Sequence, residues 1–390
     1  IGKETRNIVM ANYSNDFSIE NLEVIRRYQS NEDNVFFAYS EFSYNTLVGA
    51  YEPFLDIICN MHRRFIGGSF DDFQKECGVY YLHRQVLNSY YETGECFREE
   101  TVLLNEVAYE QRRMTMAIAD MLKKLSEVKP LMIVINRFQM ASKSSIETIK
   151  YLIDNPCANI GIVLGVNAIV KGTDSTVEVW DRIVESLEDR SAIYYIGSAG
   201  PLKNNVKTTN DDELYITMNF EQSIQEASNI MEFLDFEQAR RGCRIIEHKL
   251  KFEDAWIDEK SLRRFYMVYA RTSVLLGEMS KAIELTNEYK ALIPENDSEH
   301  YLSLYYFMKG TCYMYQGKLE KAGNSAKSAY DYAVLAEDDT LIFKAELLSV
   351  MIKMSGWYNI FFCVQDIPVS DEIIEKLIKH GYRNHLAHIY

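Results

Sequence analysis

The pair Asn136-Arg137 stands at the end of a short apolar run, Leu131 to Ile135, and just before an amphipathic segment that reaches Ile153. The end of a buried strand facing a following helix is a place where carboxylates can hold a magnesium ion. Here an amide and a guanidinium stand there instead. Asn is a poorer ligand than Asp for a hard cation, and Arg brings positive charge to a spot where a carboxylate would polarise water. A loop that cradles phosphates needs glycines, a Lys and a Ser or Thr. No glycine lies between Lys3 and Val48, and Gly2-Lys3 is followed by Glu4.

Other reactive residue types form no constellation. Ser198-Ala199-Gly200 follows an apolar run but has no G-x-S-x-G pattern around it. His380, His385 and His388 lie near the C-terminal end without a carboxylate on the same helical stretch, and read as surface histidines. The seven cysteines are odd in number, scattered, and never spaced as C-x-x-C, the pattern of a reduced protein with neither a zinc site nor a disulfide framework. The basic spots "HRRF" (62–65) and "ARRGCR" (239–244) read as solvated helix faces. No cofactor or metal is expected.

The elements that carry these residues change character along the chain. In the first 200 residues, short apolar runs at 34–42, 131–135, 159–167 and 192–198 alternate with helical patterns. Phe54, Ile58, Met61 and Phe65 keep helical spacing, as do Met114, Ile118, Met121, Leu122 and Leu125. Such alternation predicts a parallel sheet covered on both faces, an α/β domain over 1–200. A polar linker is expected over 201–221.

From 222 to 390 nearly everything reads as helix. Gly277 and Gly317, and likewise Ala282 and Ala322, are separated by the same interval, with Ala239 marking a fainter earlier copy. A turn glycine followed by a small residue lets two antiparallel helices pack closely, and stacked pairs make an α-solenoid. A generic helical bundle is the alternative.

The formal charge of −15 argues against a nucleic-acid binder, because the sequence holds no basic stripe to neutralise phosphates. No apolar run approaches the ~18 residues of a membrane span. A cytoplasmic location is expected. The chain opens on Ile1 and closes on Tyr390 inside a helical pattern, so a segment of a longer protein, truncated within its repeats, is expected.

Taken in order, several of these stretches resemble one family. Pro130, Ile133–Ile135, Phe138, Gln139, Ala141 and Ser145 match the second nucleotide-site motif of STAND-class signalling ATPases, a branch of the AAA-like P-loop proteins. Asn136 and Arg137 replace that motif's two acidic residues, Met140 its Trp and Ser142 its following Asp. Asn167 stands where the next strand of the family usually ends in Arg. Tyr51, Pro53 and Phe54 resemble its tyrosine-proline-phenylalanine helix start, and "IGKETRNIV" resembles its opening signature. The repeats are similar to tetratricopeptide repeats, through Gly310, Tyr313, Gly317, Ala322, Ala326 and Ala329, with Pro294 closing the first copy.

The resemblance implies a degenerate AAA-like domain with nucleotide-site positions Asn136, Arg137, Gln139 and Asn167, and a tetratricopeptide-like array after it. The expected function is a non-catalytic regulatory or scaffold module of a bacterial multidomain signalling protein, acting on an output domain outside this segment, a diguanylate cyclase for example. An ATP-dependent switch is the alternative. A protein partner is expected through the repeats, on a face containing Arg264, Tyr266, Tyr305 and Lys309, and self-association is a separate expectation.

Overall fold

The computed structural model describes residues 8–13, 34–42, 47–98, 102–167, 192–196, 219–252, 257–296, 298–360, 371–379, 381–382 and 385. It contains a parallel sheet with flanking helices, followed by consecutive helix hairpins. Two compact units divide the chain, one of Ile1–Glu99 with Glu106–Glu253, the other of Glu100–Asn105 with Asp254–Tyr390.

In the first unit the described elements run β1 (Ile8–Tyr13), β2 (Phe36–Glu41), α1 (Phe54–Met61), a π-helical turn (His62–Ile66), α2 (Phe70–Glu76), α3 (Tyr81–Thr93) and α4 (Val107–Val128). There follow β3 (Leu131–Asn136), a 3-10 turn (Phe138–Met140), α5 (Lys143–Asp154), β4 (Ile160–Asn167) and β5 (Ala192–Ile196). A helix hairpin, α6 (Phe220–Glu232) and α7 (Phe236–Phe252), completes the unit.

The strands order β2-β3-β4-β1-β5 and every pairing is parallel. All six residues of β3 are buried, as an unbroken apolar run between two helix layers requires. On α4 the expected face, Met114, Ile118, Met121, Leu122 and Leu125, is fully buried. On α1 the face ends at Met61, since Phe65 lies in the π-helical turn and is only half-buried.

The second unit consists of α8 (Glu259–Leu275), α9 (Met279–Ala291), α10 (Ser298–Tyr315), α11 (Leu319–Leu335), α12 (Asp339–Ile360) and α13 (Asp371–Lys379). One corner geometry recurs. Between α8 and α9, Gly277 has φ 78° and Glu278 N–H donates to the Ser273 carbonyl at 2.8 Å. Between α10 and α11, Gly317 has φ 71° and Lys318 N–H reaches the Tyr313 carbonyl at 2.9 Å. This is the six-to-one bond of a left-handed helix stop, and glycine takes that conformation without Cβ strain.

The α6–α7 corner of the first unit has the same form, with Leu234 at φ 68° and Asp235 N–H on the Ile230 carbonyl. Ala239, Ala282 and Ala322 each follow their left-handed residue at the same offset, and each is fully buried. The repeat read from the sequence is therefore a repeat of hairpin geometry. The compact boundary nonetheless falls after residue 253, not within 201–221. Of the expected linker, only Asn219 to Glu221 are described, and they cap and begin α6. His385 is buried against Tyr382 rather than on the surface, while His380 and His388 lie outside the described residues.

Candidate functional site

The parallel pairing of β2 with β3 puts Glu41 opposite Asn136 at the strand ends. Arg137, next in the chain, turns into the left-handed region at φ 55°, and its N–H donates to Asn136 Oδ1 at 2.9 Å. Its guanidinium then reaches back to Glu41, Nη2 to Oε1 at 3.0 Å. Tyr39 OH donates to the other Glu41 oxygen at 3.2 Å, and Asn136 Nδ2 donates to Tyr39 OH at 3.4 Å. Glu41, the carboxylate at this edge, is thus held by an arginine. Phe138, Gln139 and Met140 are buried behind it. Asn167 ends β4, the neighbouring strand, with its side chain outside the described residues. The segment 14–33 after β1, within the glycine-free stretch, is also outside them. Among the described residues no group of three or more His, Cys, Asp or Glu could hold a metal ion.

The N-terminal end of α5 is closed as well. A helix start presents unpaired N–H groups and partial positive charge, and so attracts anions. Ser142 caps it, accepting from Ser145 N–H, and Asp235 of the α6–α7 corner accepts from Ser144 N–H at 2.9 Å. Ser144 Oγ accepts from Tyr51 N–H at 3.0 Å, and Ser145 Oγ donates to the Glu52 carbonyl at 2.7 Å. Burial pushes the Asp235 carboxyl up, and its bonds to Ser144 and Gln238 oppose this. The protein's own carboxylate occupies this anion position. Ser142, Ser144 and Ser145 are all bound into the core.

A cavity of about 380 Å³ lies beside this knot, lined by Glu52, Asp56, Tyr90, Glu226, Ile230 and Phe233 among others. Gly49 N–H donates to Glu52 Oε2 at 2.9 Å, and a Cβ at Gly49 would sit 2.9 Å from Glu226 Oε1. Tyr90 OH donates to Asp56 Oδ1 at 3.2 Å. Burial, then the charges of Glu52 and Asp56, push the Glu226 carboxyl up to about 7, and burial also raises Glu52. The Glu226 carboxyl therefore exchanges its proton near neutral pH. Sequence reading missed them, because Glu226 lies far along the chain from Glu52 and no local pattern joins them.

In the second unit, Tyr305 and Lys309 do meet, Lys309 Nζ donating to Tyr305 OH at 2.7 Å. Lys290 joins them, its ammonium 5.0 Å from the Tyr305 ring centre, with Lys309 at 5.1 Å. Tyr305 itself is only 3% exposed, so its ring is packing and not a presented contact. Arg264 is exposed, whereas Tyr266, half-buried, packs its ring on Phe265. Two residues along a helix differ by about 200° in direction, so this pair cannot share one face. Of the expected four residues, Lys309 stands over the buried Tyr305 ring, and Lys290 joins it there.

No protein family, curated protein or solved structure matches this chain.

Proposed function

We propose that the chain is a non-catalytic regulatory or scaffold module: a degenerate AAA-like domain that does not hydrolyse nucleotide, followed by tetratricopeptide-like hairpins that bind a protein partner. The observation that carries the first half is the Arg137–Glu41 ion pair at the strand edge. A magnesium ion there would have to displace an arginine from the carboxylate it already neutralises. The sheet order supports the same reading, since an AAA-like core likewise inserts its first strand between the fourth and the fifth. Closure of the α5 terminus by Asp235 removes a further anion position.

The recurring corner at Gly277 and Gly317, each followed by a buried Ala, supports the second half. Stacked hairpins leave helix faces for a partner, and Lys290 and Lys309 are cations on one such face. No helix among the described residues is long and apolar enough to cross a membrane. In this reading the module works in the cytoplasm of a bacterium and acts on an output domain beyond the segment. A phosphate-release assay with Mg-ATP tests the first half, and signal indistinguishable from a blank is expected. Affinity capture with Lys290→Glu and Lys309→Glu together tests the second. Loss of a partner captured by the unaltered chain is expected, and undiminished capture would overturn that face.

A further inference from the structure

At the other end of β2, where the strand begins at Phe36, a second feature meets the sheet. Helix α1 does not stop at Met61 but widens into the π-helical turn His62–Ile66, closed by Gly67 N–H on the His62 carbonyl at 2.8 Å. Such turns insert a residue and re-aim side chains, and they are frequent at functional positions. Gly67 and Gly68 follow, both at positive φ (69° and 73°), and Ser69 then caps α2. Residues 66–69 are all exposed. His62 is buried, while Arg63, Arg64 and Ile66 face solvent.

Phe65 meets Phe36, the first residue of β2, edge to face at 5.8 Å. The Arg64 guanidinium lies 5.7 Å from the Phe36 ring centre and 5.5 Å from that of Phe65. The Lys129 ammonium covers Phe65 from the end of α4, at 4.8 Å. Arg63 packs over Tyr91 at 4.4 Å. Ile66, next to Phe65 in the chain, and Val128, next to Lys129, are 40% and 55% exposed and add aliphatic surface. Among the described residues neither Arg63 nor Arg64 forms an ion pair, in a chain with fifteen excess negative charges. Arg63 also donates from Nη2 to the Tyr91 carbonyl, but among the described residues no carboxylate holds either guanidinium, so the fork of Arg64 and the remaining donors of Arg63 can take one.

We propose that this patch docks a short acidic segment of a partner protein, one that carries aromatic or branched aliphatic side chains among its carboxylates. The guanidinium groups take the carboxylates, and Phe65, Ile66 and Val128 take the apolar side chains. Screening decides the class of ligand. At physiological salt a charge acts over about 8 Å, so a peptide confined to the patch feels mainly these cations. A bilayer or a nucleic acid brings extended negative charge against the acidic remainder of the surface, and a polynucleotide needs a longer row of cations than this patch supplies.

The test is fluorescence anisotropy of the whole chain with a fluorescein-labelled dodecapeptide, Asp-Glu-Phe-Glu-Asp-Leu repeated twice. Saturable binding is expected at low salt, weakened about tenfold or more when the salt rises severalfold. Arg63→Glu with Arg64→Glu should abolish it, Phe65→Ala should weaken it about tenfold, and the Asn/Gln version of the peptide should not bind. The two arginines are exposed, and an unchanged melting temperature confirms that the double variant folds. Absence of saturable binding, or equal binding by the double variant, would overturn the proposal. So would phosphatidylserine vesicles or single-stranded RNA binding more tightly through the same arginines. Concentration-dependent dimerisation lost in the double variant would assign the patch to a second copy of this chain instead, and would equally overturn it.

Discussion

Arg137 closes on Glu41 across the ends of β3 and β2 at 3.0 Å, from a left-handed backbone position that also takes its N–H to Asn136. Both side chains are more than a third exposed, so the pair contributes little to stability, below about 1 kcal/mol. Its effect is to neutralise the carboxylate of that edge. Arg137→Ala should therefore shift the urea midpoint only slightly. Ser144→Ala should cost more, about 1–3 kcal/mol, because it strips the buried Tyr51 N–H of its acceptor. Urea unfolding of both variants checks the order, and a larger loss from Arg137→Ala would contradict it.

His83 gives the first unit an acid sensitivity. It is fully buried, with Nε2 3.0 Å from Glu110 Oε2, Tyr80 against its ring, and the Arg98 and Arg113 charges nearby. Burial, with some compensation from Glu110, pushes its imidazole down to about 4. Between its ordinary value near 6.5 and about 4, the unfolded chain binds this proton and the folded chain does not. Stability must then fall as pH falls through that window, by about 3 kcal/mol at most. Unfolding free energies measured from pH 7 to 4 should show this slope in the unaltered chain and a shallower one in His83→Gln. Parallel slopes would contradict the assignment.

Glu226 acts with the opposite sign. Its folded value near 7 exceeds the ordinary 4.5, so the folded state holds the extra proton between them. That contribution is present at low pH and lost as pH rises through 7. Glu226→Gln should stabilise the chain by about 1–3 kcal/mol at pH 8 and have little effect near pH 4.5. A pH-independent change would show that the carboxyl cluster does not titrate as its burial implies.

The hairpin corners permit a paired test. Gly317 and the exposed Glu337, which precedes α12, both have positive φ, at 71° and 52°. Gly317→Ala should cost about 1 kcal/mol, and Glu337→Gly should gain up to about the same. Thermal melts of the two variants should move in opposite directions. Movement in the same direction would mean that these corners do not share one backbone geometry.

Much of this architecture is legible along the chain. The unbroken run at 131–135 betrays a strand buried on both faces, and the offset from turn residue to buried Ala is visible at 277/282 and 317/322. What local pattern cannot show is pairing between distant residues. The α6–α7 hairpin joins the first unit because Asn229 accepts from Cys96 N–H, Asp235 takes Ser144 N–H, and Gln238 donates to the Val48 carbonyl. Its own sequence is that of another repeat. The four residues expected on one partner face do not lie together for a related reason: Arg264 and Tyr266, two apart, cannot share a side of α8. Tyr305 looks amphipathic enough for a surface but fills the seam between α9 and α10. The carboxyls around Glu226 have no sequence signature, since α6 presents that residue on a half-buried face.

The strand edge and the α5 terminus are closed by the protein's own side chains, and under the proposed function Mg-ATP is expected not to bind. Isothermal titration of Mg-ATP into the whole chain tests this most directly. No saturable heat is expected up to about millimolar nucleotide, a binding free energy weaker than about −4 kcal/mol. A saturable isotherm with a micromolar dissociation constant, lost on adding EDTA, would contradict it and would make the chain a nucleotide-dependent switch.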